Sequence, residues 1–358
     1  MPTLTPAPAI VLTQGMLDSE NAKSAHGLIR GSERFVVKAI IDGPETAGRD
    51  AGDVLDGRSV GIPVYADLDA YLAATPAAER AEYCCVGVAL SGGSLPAEFR
   101  ATLLQAAGEG MNLVNGLHTF LSEDDEFIAA AEAGGGQLID IRKPRHRKEL
   151  KFWSGKILDL KIPRIAVLGS DCAVGKRTTT RWLRDGCRKA GLKTEMIYTG
   201  QTGWMQGSPY GFILDSTVND FVSGEIERAI LECAEEAEPD LILLEGQSAL
   251  RNPTGPCGSE MLLSGGARGV ILQHDPSHEV YKGTSVKMGS LAAEVGLIRM
   301  YGSEVIAVCL TESKVPADKL QRLRTEYAAD LGVPVIMPWS DGIGELVQLT
   351  LDYVKKGA

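Results

Sequence analysis

The sequence holds no run of about 18 apolar residues, so no segment is expected to cross a bilayer as a helix. Met1–Ile10 carries no lysine or arginine and so lacks the basic start of a secretory signal. Cysteine is sparse: the seven are irregularly spaced and no two form a Cys-x-x-Cys pair, which gives no sign of a zinc site or a disulfide framework. Cys84, Cys85 and Cys309 sit inside apolar runs, and a reduced cytoplasm is the expected setting. Positive charge is in deficit, with 36 Lys and Arg against 47 Asp and Glu, a net of −11. An acidic chain is poorly matched to nucleic acid or to an anionic membrane surface, so neither is an expected partner. Any anionic ligand must be gripped by local donors. Internal repeats, low-complexity tracts and the Gly-x-Gly-x-x-Gly dinucleotide fingerprint are also missing.

What is present is a chain of 358 residues, 44% apolar and 23% charged, enough for two packed domains. Short β-rich runs alternate with stretches long enough for crossover helices, which predicts an α/β protein with mainly parallel sheets. The runs are Ala9–Thr13, Phe35–Ile41, Tyr83–Leu90, Asn112–Val114 and Gln137–Ile141, then Arg164–Leu168, Lys193–Tyr198, Leu241–Leu244, Gly269–Gln273, Glu304–Leu310 and Pro334–Met337. Val222, Ile226, Ala229, Ile230, Cys233 and Ala237 form one helical stripe, with Asp220 as candidate N-cap. The basic run from Arg142 to Lys151 marks the break, giving domains 1–150 and 151–358. That run reads as a solvated linker or, alternatively, as cations leaning over a phosphate site.

The second domain opens on a phosphate-binding pattern. The strand Arg164–Leu168 runs into Gly169-Ser170-Asp171-Cys172-Ala173-Val174-Gly175-Lys176-Arg177-Thr178-Thr179, and Arg181–Ala190 then reads as a helix. Glycines let backbone approach phosphate oxygens, loop amides point inward, and the helix N-terminus and Lys176 add positive charge. The loop departs from the common pattern in two ways: five residues separate the glycines, and Arg177 stands where the magnesium-ligating Ser or Thr follows the lysine. Nucleotide hydrolysis normally needs that hydroxyl. Arg177 therefore favours a phosphorylated carrier that is held without being cleaved at phosphorus.

Ligands of such sheets sit beyond the carboxyl ends of the strands. There the sequence places Thr199-Gly-Gln201-Thr202-Gly203, Glu245-Gly-Gln247-Ser248, His274-Asp-Pro and Thr311-Glu-Ser313. Glu245, Asp220 and His274 are candidate catalytic acid–base groups, each with a bland alternative as a cap or a structural hydrogen-bonding residue. Gln201, Thr202, Gln247 and Arg251 are candidate substrate contacts, and Lys23, beside His26 on a helix expected over Met16–Arg30, is another. Asp42, ending the second strand, occupies the place of a ribose-binding acid, although the glycine fingerprint is absent.

Together the loop, Thr199–Gly203, Asp220-Phe-Val-Ser-Gly224, Glu245–Ser248 and Ala25-His-Gly-Leu-Ile-Arg30 resemble a bacterial family catalogued as a domain of unknown function. That family pairs a Rossmann-like N-terminal domain with a P-loop C-terminal domain. It includes D-glutamate N-acetyltransferases, so the resemblance implies acetyl transfer from acetyl-CoA, as co-substrate, to the amine of D-glutamate. The P-loop half is also similar to dethiobiotin synthetase, which shares the six-residue step from Gly169 to Gly175. That likeness keeps open a Mg-ATP-dependent ligase or kinase, and a non-catalytic nucleotide sensor is the third reading. The expected partners are small-molecule substrates and further copies of the chain. No metal site is expected.

Overall fold

The computed structural model describes residues 5–90, 92–312 and 315–357. Met1–Leu4 and Ser313, on which two of the expectations above partly rest, lie outside them. The chain divides into two compact units: Met1–Pro144 with Gly200–Ser208, and Arg145–Thr199 with Pro209–Ala358. A single cut at 150/151 misses the excursion of Gly200–Ser208 into the first unit.

The first unit holds β1 (Ala7–Leu12), β2 (Phe35–Ile41), β3 (Val64–Tyr65), β4 (Tyr83–Val86), β5 (Asn112–Asn115) and β6 (Leu138–Asp140). They form one sheet in the order β3-β2-β1-β4-β5-β6, and each pair is parallel. Alternate side chains feed two cores. Ile10, Leu12, Cys84 and Val86 pack on one face, and Ala9, Val11, Ile40 and Cys85 on the other. The helix expected over Met16–Arg30 is shorter, Lys23–Ile29. Its first turns are lost because the Leu17 amide donates to Asp42 Oδ1 (3.0 Å) instead of entering a helix. Asp42 also accepts from Thr13 Oγ1 (2.7 Å) and Thr46 Oγ1 (2.6 Å), so this buried acid braces its own turn rather than a ribose.

The excursion is a short helix, Gln201–Met205, laid on Lys23–Ile29. Gly27 permits the approach: a Cβ there would fall 2.6 Å from Thr202 Cγ2. Thr202 Oγ1 shares a hydrogen bond with Ser24 Oγ (2.9 Å), Arg142 Nη2 donates to Gln201 Oε1 (2.9 Å), and Met205 is fully buried in the core around Ala25 and Leu28.

The second unit holds β7 (Arg164–Gly169), β8 (Thr194–Tyr198), β9 (Tyr210–Gly211), β10 (Leu241–Glu245), β11 (Gly269–His274), β12 (Glu304–Leu310) and β13 (Val335–Ile336). The order is β13-β12-β11-β7-β10-β8-β9, again parallel throughout. Central β7 buries Ile165 and Val167 with Leu183 and Leu346 on one face, and Ala166 and Leu168 with Ile226 and Ile230 on the other. The striped helix spans Asn219–Ala237, with Val218 rather than Asp220 at its N-cap.

This helix also anchors the strand entry. A Cβ at Gly224 would lie 1.9 Å from the Lys151 carbonyl oxygen, so only glycine lets that segment cross. Buried Glu225 receives Arg145 Nη1 (2.9 Å), Arg228 Nε (2.9 Å) and the Lys151 amide (3.0 Å), and buried Glu227 receives the Ile157 amide (3.2 Å). Within the basic run, Lys143 pairs with Glu123 and Arg145 with Glu225, while Arg147 and Lys148 are exposed. Among the described residues no helix is long and apolar enough to cross a membrane.

Candidate functional site

β7 delivers the loop at the carboxyl edge of the second sheet, and the helix Lys176–Lys189 carries it away. Gly175 precedes that helix at φ +95° with no side-chain cap, so the first-turn amides remain available to an anion. Gly169 must be glycine for a different reason. A Cβ would fall 2.8 Å from Lys176 Nζ and from Val174 Cγ2, and would drive the lysine off the loop.

The loop is braced on the neighbouring strand ends. The Ser170 amide donates to the Gln273 carbonyl (2.9 Å), and Ser170 Oγ pairs with His274 Nδ1 (2.8 Å). Thr179 Oγ1 donates to Gln273 Oε1 (2.7 Å), Gln273 Nε2 to Thr311 Oγ1 (3.1 Å), and Thr311 Oγ1 to the Val174 carbonyl (2.6 Å). His274 is buried, and burial pushes its pKa down to about 4, so the ring is neutral at pH 7. Cys172 is the one half-exposed cysteine, and its Sγ lies 3.3 Å from Ser248 Oγ. Burial raises the thiol pKa values of the other six, which makes them poor nucleophiles.

Asp171 is fully buried inside the loop and accepts hydrogen bonds from Asn252 Nδ2 at Oδ1 and from His278 Nδ1 and the Lys282 amide at Oδ2, each 2.8 Å. Burial works to raise its pKa, but these donors outweigh burial and hold it below the usual carboxylate value. Lys176 Nζ donates to the carbonyls of Asp171 (2.7 Å) and Ser248 (2.8 Å). Burial brings its pKa down to about 8 against the pull of nearby acids.

Arg177 and Glu245, separate candidates in the sequence, meet: Arg177 Nε donates to Glu245 Oε1 at 2.9 Å. Glu245 is 3% exposed, and its Oε2 has no hydrogen-bond partner among the described residues. In a nucleotide-cleaving P-loop, magnesium is held by the hydroxyl after the lysine and by a strand-end acid. Here the first is Arg177, and its guanidinium lies on the second. These residues do not fit a magnesium ion.

The remaining candidates fall in several places. Thr199 Oγ1 donates to the Glu245 carbonyl (2.8 Å) and Gln247 Nε2 to the Thr199 carbonyl (2.7 Å), so Gln247 belongs to the Glu245 strand end. Thr178 is half-buried in the first helical turn, and Ala173 is exposed at the loop tip with φ +57°. Arg251 is bound by Glu294 and by the Ser290 carbonyl rather than turned toward Glu245. Asp220 is exposed in the first turn of its helix. Gln201, Thr202 and Lys23 lie in the first unit, where the first two are buried. Sequence reasoning missed Asn252, Gln273 and His278. Gln273 carried a signal as the penultimate residue of a strand ending at the site, whereas Asn252 and His278 acquire their meaning from Asp171, far away in the chain.

Residues 151–347, more than half of the chain, match the family described as "Domain of unknown function (DUF1611_C) P-loop domain". Residues 44–144 match the companion "Domain of unknown function (DUF1611_N) Rossmann-like domain". The chain belongs to this family. It is 29% identical over 278 residues to a D-glutamate N-acetyltransferase of Pseudoalteromonas sp, covering 73% of this chain and 79% of that protein. A D-glutamate N-acetyltransferase of Tritonibacter scottomollicae is 26% identical over 278 residues, covering 75% and 81%. The crystal structure of a DUF1611 family protein from Anabaena variabilis superimposes with a TM-score of 0.87 at 22% identity, covering 97% of this chain and 99% of that one. That likeness shows the shared fold.

Proposed function

We propose that this member of the DUF1611 family is an N-acetyltransferase that moves the acetyl group of acetyl-CoA to the amino group of D-glutamate. The observation that carries the reading is the ion pair between Arg177 and Glu245. It leaves a phosphate cradle without the metal site that phosphoryl transfer requires. Coenzyme A carries a pyrophosphate and a 3′-phosphate and asks of its protein a grip on phosphate, with no cleavage at phosphorus. The relatives named for acetyl transfer to D-glutamate supply the reaction class and the acceptor.

In this reading the loop amides of Ala173–Gly175, the first turn from Lys176 and the Lys176 ammonium receive the coenzyme phosphates. Thr178 and Thr179 lie in that same turn. The thioester oxygen gains negative charge during attack and is stabilised by nearby N–H donors or by a cation. The reaction needs neither a membrane nor nucleic acid, and it suits the cytoplasm, where acetyl-CoA is made.

The test is thiol release from acetyl-CoA with D-glutamate, with L-glutamate and with no acceptor. The reading expects release that depends on D-glutamate. Release independent of any acceptor, or none at all, contradicts it.

A further inference from the structure

Transfer of an acetyl group to an amine requires a group that removes the ammonium proton. The three residues expected for this from sequence are poorly disposed. Asp220 is exposed on a helix turn, Glu245 lies against Arg177, and His274 is tied through Nδ1 to Ser170 and buried. We infer that His278, oriented by Asp171, is the proton acceptor in the proposed acetyl transfer; the inference rests on that reading.

The geometry fixes the ring. Asp171 accepts from Asn252, from the Lys282 amide and from His278 Nδ1 at 2.8 Å. An ionised carboxylate has no proton to give, so the proton of that last bond is on Nδ1, and in the neutral ring the lone pair is on Nε2. Nε2 lies 3.7 Å from Asp275 Oδ2, too far for a hydrogen bond but close enough to stabilise positive charge. Asp275 Oδ1 is occupied by the Ser277 amide (2.9 Å) and Oγ (2.6 Å), which hold the carboxylate in place. An imidazolium formed at His278 would therefore sit between two buried carboxylates. This is the arrangement that orients a histidine base and stabilises its charged form.

Position and exposure agree with the role. Asp171 is the third residue of the phosphate loop, so the imidazole lies beside the proposed coenzyme seat. The His278 side chain is 15% exposed, whereas that of Glu245 is 4% exposed. The titratable groups set against His278 include Asp171, Asp275 and His274. Asp171 is a positioning residue and His278 the catalytic one.

The acceptor ammonium loses one proton to Nε2. Its nitrogen lone pair attacks the thioester carbonyl, the N–C bond forms and the C–S bond breaks. The second amine proton goes to the departing thiolate, and His278 returns the first to solvent. The products are the N-acetyl amino acid, free coenzyme A and one proton.

The experiment uses the full-length protein, wild type and His278→Gln, with acetyl-CoA and D-glutamate. Glutamine keeps a side-chain N–H for Asp171 and cannot accept the proton. The inference expects kcat to fall by about 10²- to 10⁴-fold. Acetyl-CoA affinity should stay within about threefold, and the melting temperature should be little changed. Asp275→Asn should lower kcat to a smaller extent without disturbing the loop. A His278→Gln enzyme that retains wild-type kcat overturns the assignment. So does one whose only defect is weak acetyl-CoA binding, which would make His278 a clamp on the loop. A wild-type protein that releases no thiol with D-glutamate overturns the acetyl-transfer reading, and the assignment with it.

Discussion

Lys176 carries a charge that its surroundings resist. Burial lowers its pKa to about 8, and the partners it has are the carbonyls of Asp171 and Ser248. A phosphate placed on the loop would favour the ammonium and raise that value. Ligand binding should then take up a proton above pH 8, and affinity should fall as pH rises through that value. Calorimetry of acetyl-CoA binding in two buffers of different ionisation enthalpy checks this; identical heats at pH 8.5 would contradict it.

His274 offers a second pH test. Its folded pKa of about 4 lies below the unfolded 6.5, so the unfolded chain binds the extra proton between those values. The stability conferred by the neutral ring is complete above pH 6.5 and is lost as pH falls toward 4. The loss is of order 3 kcal/mol. Urea midpoints at pH 7 and pH 5 should differ more in wild type than in His274→Gln. At Arg177, truncation to Ala leaves buried Glu245 without its guanidinium. Because Arg177 is itself about a quarter exposed, the cost should be about 1–3 kcal/mol.

At the scale of elements, the eleven runs read as strands are all strands, with ends shifted by a few residues at most. Two strands escaped, Val64–Tyr65 and Tyr210–Gly211. Each is a two-residue edge strand, too short for a periodic signal. The helix expected from Met16 starts at Lys23, since no propensity reveals that Asp42 captures the Leu17 amide. The loop between strand and helix was legible because its pattern lies in consecutive residues. Its bracing was not, because Gln273, Asn252 and His278 reach it from distant strands and loops. The Asp220–Gly224 motif proves to hold the Lys151 crossing at Gly224, a packing reason that a sequence cannot express. One element is open to improvement. Glu238 ends the helix Asn219–Ala237 in the left-handed region, φ +44°, where it is exposed. Glu238→Gly should raise stability by about 0.5–1 kcal/mol, read as a shift in melting temperature.

At the scale of the whole molecule, the two units are not separable by one cut. Gly200–Ser208 leaves the second unit's stretch of chain to place Met205 in the first unit's core and Trp204 under Arg34, 4.0 Å from the ring centroid. A 1–144 fragment would leave Ser24 and Ser32 without Thr202 and the Met205 carbonyl. It should therefore be less protected in hydrogen exchange than the same residues in the full chain. Co-expressed 1–144 and 145–358 fragments should associate in trans and recover that protection. Two fragments that stay apart, each with native protection, would contradict this.

The central claim is that this loop seats the phosphates of a carrier rather than a nucleotide to be cleaved. Its most direct test is titration of wild type and Lys176→Ala with acetyl-CoA and with Mg-ATP. The account predicts acetyl-CoA binding that needs no magnesium and weakens at least tenfold in Lys176→Ala, about 1.4 kcal/mol or more. Tight Mg-ATP binding without acetyl-CoA binding, or acetyl-CoA affinity indifferent to Lys176, would contradict it.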